Sequence, residues 1–197
     1  MELPSQVKVV VQKSTSQIEA TVLSLITSMP ENEESVLVTA IVQLAYKDTI
    51  WIFQLNDHIH SGPFPSQLIT FLKNPCILKV GQNVNLDLRN LQEESGIKQP
   101  FAGGVDVAHL PKCKGVVKNT WISLADLCAR VLKVHLNKDL ATRISPDWHS
   151  DELSSEQLHY AALNAWASLK IYEELEQMQV PGEVIAFTPG QDIFLCP

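Results

Sequence analysis

LSSEQLHYAALNAWASLKIYEEL, residues 153–175, is the stretch on which the fold turns. Ser154 or Ser155 is placed to cap a helix start, and the residues after it are rich in Ala, Leu, Glu and Gln, strong helix formers. Leu158, Ala162, Ala165, Leu169 and Tyr172 recur at three-, four- and seven-residue intervals, so the spacing predicts an amphipathic helix with one apolar face, ended by Pro181-Gly182. A helix of that length needs an apolar surface to lie on.

The upstream sequence supplies one. VKVVVQ (7–12) reads as a strand, and Ile18, Val22 and Leu25 come next at helical spacing behind Ser14-Thr15-Ser16, predicting a helix over 16–27. After the acidic loop MPENEES (29–35), two β-branched runs, 36–45 and 49–55, flank Tyr46-Lys47-Asp48 and read as an antiparallel hairpin. A helix is expected from Pro65 to Asn74-Pro75, then a buried strand over 76–80 stopping at Gly81. NLDLRNLQEESG reads as a helix capped by Asn85 and stopped by Gly96. GVDVAHL (104–110) is a further strand, 111–120 a basic loop, and Ser123 caps a helix through Leu132. Strands that come first in pairs and then alternate with helices define a mixed α/β class. VIAFTPGQDIFLCP closes the chain as a short hairpin around Pro189-Gly190.

The 197 residues suit one domain; 45 % are apolar and 19 % charged, which argues against disorder. The net charge of −7 counts against a chain whose whole surface grips phosphate backbones. Cys76, Cys113, Cys128 and Cys196 are scattered without a CxxC pair, so reduced thiols are expected. MELPSQVKVVVQKST lacks the apolar run of a signal peptide, and no stretch reaches the roughly 18 apolar residues of a membrane helix. The expectation is a cytoplasmic or nuclear protein with no membrane partner.

Three segments, in this order and spacing, resemble the 3′–5′ exonuclease domain of the ribonuclease D and Werner-type branch of the ribonuclease H-like superfamily. They are AIVQLAYKDTIWIFQL (40–55), VGQNVNLDLRNL (80–91) and the 153–175 segment with its upstream SLADLCARVL. The resemblance covers about residues 7–180, leaving 181–197 as a C-terminal extension. It implies an α/β fold with a central mixed sheet of five or six strands, the first of them antiparallel, flanked by helices.

The family's chemistry, hydrolysis of phosphodiesters by two metal ions, needs about four carboxylates converging on two Mg²⁺. The resemblance places them as Asp-x-Glu on a first strand, one Asp in the second motif, and Tyr-x-x-x-Asp on the last helix. In this sequence Asp87 stands at the second-motif position and Tyr160 at the tyrosine, but Asn164 replaces the last aspartate. Asp-x-Glu falls on Ile26 and Ser28 if 22–29 is the first strand. If 16–27 is instead the preceding helix, as its periodicity favours, that strand is deleted or collapsed into the acidic loop with Glu31, Glu33 and Glu34. One carboxylate does not hold two divalent cations. The expectation is therefore an inactive exonuclease-like domain acting as a nucleic-acid- or protein-binding adaptor, without a metal cofactor. The alternative is an active exonuclease with a non-standard site, using Asp87 and bound Mg²⁺ or Mn²⁺.

Each position also has a plain structural reading. Asp87 suits any helix N-terminus, Tyr160 suits a packed helix face, and Asp106 reads as support for the fold. Asn164 is a poor residue for a helix interior and is better explained as a remnant of the family's aspartate. Residues 112–143 carry seven Lys and Arg against two Asp, a net +5, whereas 147–179 carry a net −6. Lys112, Lys114, Lys118, Arg130 and Lys133 are the candidate nucleic-acid contacts, although few aromatic residues interleave with them for base stacking. The partners to consider are single-stranded nucleic acid, another protein, and a second copy of the chain.

Overall fold

A computed structural model describes residues 1–29, 34–35, 41–60, 62–137, 142 and 146–178. Strand β1 (Lys8–Gln12) leads into helix α1 (Thr15–Ser28), where the Ser14 hydroxyl accepts the Gln17 N–H. Strands β3 (Ile41–Tyr46) and β4 (Thr49–Gln54) form the expected hairpin, Tyr46 opposite Thr49, with Lys47 at φ 51° making the turn. β1 adds to the far side of β4 in parallel, Val10 opposite Trp51. The first strand in sequence is thus parallel to its neighbour, and only the hairpin is antiparallel.

Alternation along the hairpin sets the layers. Val42, Leu44 and Phe53 pack with Ile18, Val22 and Leu25 of α1 and with Leu68, Phe71 and Leu72 of α3 (Ser66–Lys73). Ile41, Ala45, Ile50 and Ile52 face the other way, onto Ala161, Ala162, Ala165 and Trp166 of the long helix α7 (Ser155–Gln177). The alanines allow close approach of α7 to the sheet. Leu163, Ile171 and Leu175 of the same helix bury against Leu78, Val80 and Val105 of a second ladder. The helix is covered on both sides and so is apolar well beyond one stripe.

That ladder is fully parallel: β2 (Glu34–Ser35), β5 (Leu78–Gly81) and β6 (Gly104–Asp106). Among the described residues the six strands pair as two three-stranded ladders that approach where β2 lies near β3. The described part of β2 pairs Glu34 with Leu78 and Ser35 with Lys79. Gly103 makes the turn into β6: its φ is +78°, and a Cβ there would sit 2.6 Å from the Ile77 carbonyl.

Several expectations need correction. Asn83, not Asn85, caps helix α4 (Val84–Ser95), at φ 60° in the left-handed region that Asn tolerates. The strand expected over 104–110 stops at Asp106, and a helical turn α5 (Leu110–Cys113) interrupts the basic loop. The helix after Ser123 is a short α6 (Leu124–Leu127) running into a π-helical turn, Cys128–Leu132. A helix α2 (Asn56–His60) and a 3₁₀ turn, Pro146–His149, lie where the sequence shows no helical period. Cys76 and Cys128 are not in disulfides, but Cys113 is disulfide-bonded, against the expectation of reduced thiols. Most of the acidic loop, residues 36–40 of the first hairpin strand, and the 181–197 extension with its hairpin lie outside the described residues. No described helix is long and apolar enough to cross a membrane.

Candidate active site and basic surface

Asp87 sits in the first turn of α4, shortly after β5 ends at Gly81. The helix dipole favours its ionised form by an amount worth less than one pKa step at an exposed site. Burial opposes this and wins: it pushes the carboxyl up to about 7, with the like charge of Asp106 adding to the rise. Asp106 is engaged in the scaffold, as expected. One oxygen accepts the Asn83 N–H at 3.0 Å and the other the Ala108 N–H at 2.8 Å, tying the start of α4 to the end of β6.

Tyr160 and Asn164 share a face of α7 by their four-residue spacing, and both are partly buried. The Tyr160 ring lies 6.1 Å from that of Trp148, tilted by 56°. It lines a cavity of about 190 Å³ with Met1, Glu2, His159 and Leu163 among its walls. No hydrogen bond, ion pair or ring contact joins Asp87 to Tyr160 or Asn164 among the described residues. The structure thus sets Asp87 beside Asp106 and Tyr160 beside Trp148.

Among the described residues, no three His, Cys, Asp or Glu side chains gather as a metal site. Two divalent cations need about four carboxylates. The described set offers Asp87, partly buried in the first turn of α4, beside Asp106, whose oxygens both accept backbone N–H groups. Asn164 adds no charge. The described residues do not fit a two-metal centre.

The basic candidates divide into two sets. The Lys114 ammonium donates to the Met178 carbonyl at 2.6 Å, closing the C-terminal end of α7, where a cation also meets the negative end of the dipole. The Lys133 ammonium donates to the Arg130 carbonyl at 2.7 Å, and Lys133 itself ends the π-helical turn at φ 58°. Lys112, Lys118 and Arg130 are exposed, Lys112 on α5.

Sequence reasoning missed two features. Trp121 is 94 % exposed in the segment after Lys118. Gln43 is 3 % exposed, and its Oε1 lacks a partner; by strand alternation it lies on the face of β3 that α7 covers. A Trp amid polar residues outside any apolar period was the available signal for the first; a Gln within an apolar strand was the signal for the second.

The 3′–5′ exonuclease family model matches residues 32–179, most of the described core. The chain belongs to the 3′–5′ exonuclease family. It is similar to the mouse bifunctional 3′–5′ exonuclease/ATP-dependent helicase WRN, 32 % identical over 157 residues that make up 78 % of this chain and 10 % of that protein. Against two other curated relatives it spans 36 % and 17 % of their lengths. Among solved structures it resembles the catalytic core of RRP6 from Trypanosoma brucei, at a TM-score of 0.67 and 21 % identity, covering 90 % of this chain and 48 % of that one. It also resembles T. brucei RNase D in complex with RNA U12, at a TM-score of 0.69 and 17 % identity, covering 89 % and 65 %. These structures support the α/β, ribonuclease H-like fold expected from the sequence.

Proposed function

We propose that this domain is a 3′–5′ exonuclease fold that no longer performs two-metal hydrolysis and binds single-stranded nucleic acid as an adaptor. The observation that carries this reading is that, among the described residues, no three His, Cys, Asp or Glu side chains gather to hold a metal ion. Asp87 stands at the second-motif position, and the carboxylate beside it, Asp106, accepts backbone N–H groups through both oxygens. Asn164 removes a further charge from the last motif.

A nucleic-acid partner is favoured over a protein partner or self-association by the surface cations Lys112, Lys118 and Arg130, and by family membership. T. brucei RNase D, which shares the fold, is described with RNA U12. Enzymatic action is the second reading, favoured by the closeness of Asp87 and Asp106, two carboxyls sharing one corner of the fold.

Equilibrium binding of a labelled single strand, compared in excess EDTA and in saturating Mg²⁺ at constant ionic strength, tests the adaptor reading. Affinity is expected to be the same in both. Binding that appears only with the metal would contradict it.

A further inference from the structure

We infer that Trp121 is a base-stacking platform for single-stranded nucleic acid, with Lys118 as its phosphate contact, beside the corner of the fold that holds Asp87. The inference rests on the nucleic-acid reading above and adds to it a named binding surface. Of the four tryptophans, Trp166 is buried, Trp51 packs against the core and Trp148 lies against Tyr160. Trp121 is 94 % exposed, leaving in water the large apolar ring that makes tryptophan valuable when covered.

The backbone around the ring is anchored on both sides. The Asn119 side-chain oxygen accepts the Trp121 N–H at 3.1 Å. The Gln82 amide donates to the Ile122 carbonyl, and the Ser123 hydroxyl caps α6 through the Asp126 N–H. Gln82 immediately precedes Asn83, the cap of the helix that carries Asp87. The contact therefore places the Trp121 segment next to the residues that open the helix carrying Asp87.

Charge decides what covers the ring. Lys118, Asn119, Thr120 and Ser123 surround Trp121 in sequence, and Lys112 and Arg130 belong to the same basic stretch, net +5 over 112–143 in a chain of net −7. A protein interface core is depleted of such charges. A π-face beside lysines is how single strands are held without base-specific hydrogen bonds, the bases stacking and the phosphates pairing with cations.

The test is fluorescence anisotropy of labelled U12 RNA titrated with the full chain, across a salt series. Trp121→Ala is expected to weaken binding roughly 5- to 100-fold, the range that stacking of one base spans. Trp121→Phe is expected to recover most of that loss. Lys118→Gln is expected to lower the slope of log K against log salt by about 1, while Trp121→Ala leaves the slope unchanged. Because the ring is in solvent, the thermal midpoints of all three should match the wild type. Wild-type binding that survives Trp121→Ala overturns the inference and leaves the adaptor reading intact. Failure of the wild type to bind overturns both. A fall in sedimentation mass in Trp121→Ala, without rescue of RNA binding by Trp121→Phe, overturns the inference in favour of a protein interface.

Discussion

Between about pH 4 and pH 7 the Asp87 carboxyl holds a proton in the folded chain that it has lost in the unfolded one, because burial raises its pKa from 3.8 to about 7. Its contribution to stability is complete below the unfolded value and is lost as pH rises through the folded one. Asp87→Asn should therefore flatten the wild type's decline in stability across that window and make the variant about 1–2 kcal/mol more stable at pH 8, a magnitude reduced for the solvent that reaches the group. Urea midpoints against pH would measure it; a variant no more stable than wild type at pH 8 would contradict the assigned burial. Lys79 behaves in the opposite sense. It is fully buried in β5, donates to the Asn74 and Ile77 carbonyls at 2.7 and 2.8 Å, and burial lowers its pKa to about 7 against a partial rise from Cys76. From about pH 7 to 10.5 the unfolded chain binds the proton that the folded chain has released, so stability rises with pH in that range. Lys79→Met should abolish this rise, whatever it does to absolute stability through the two freed carbonyls.

At the scale of elements, α7 links the two ladders, so its ends matter as much as its faces. The Ser154 hydroxyl accepts the Gln157 N–H while the Gln157 side chain accepts the Ser154 N–H, a reciprocal capping box. Ser154→Ala should cost about 1 kcal/mol in chemical denaturation, and Gln157→Ala should not add its full single-variant effect on top, since the two act as one unit. This helix, the β3–β4 hairpin and α1 were legible in sequence because their apolar residues keep to the periods of 3.6 and 2 that burial on one side imposes. The start of α4 was not, because Asn83 depends on Asp106, 23 residues further on, to take its N–H. In the candidate site, Asp87, Tyr160 and Asn164 could be located from the family resemblance, but a motif does not report that Asp87 is buried beside Asp106 or that Tyr160 lies against Trp148. Lys114 and Lys133 read in sequence as free cations, and each closes a helical segment instead. Trp121 leaves no trace in periodicity, and its polar neighbours were the one sign of its exposure.

For the whole molecule, a net charge of −7 concealed an uneven distribution, +5 over residues 112–143 and −6 over 147–179. The fold that family membership carries is retained through the sandwich of α1 and α3, the β1–β4–β3 ladder and α7. Fold alone does not fix activity, and the charge available at the site decides it. The most direct measurement is release of nucleotides from the 3′ end of labelled single-stranded RNA and DNA by the purified chain in Mg²⁺ and in Mn²⁺, followed on denaturing gels. The account predicts that the strands are bound and remain intact over the full time course. Progressive 3′ shortening that Asp87→Ala abolishes would contradict it.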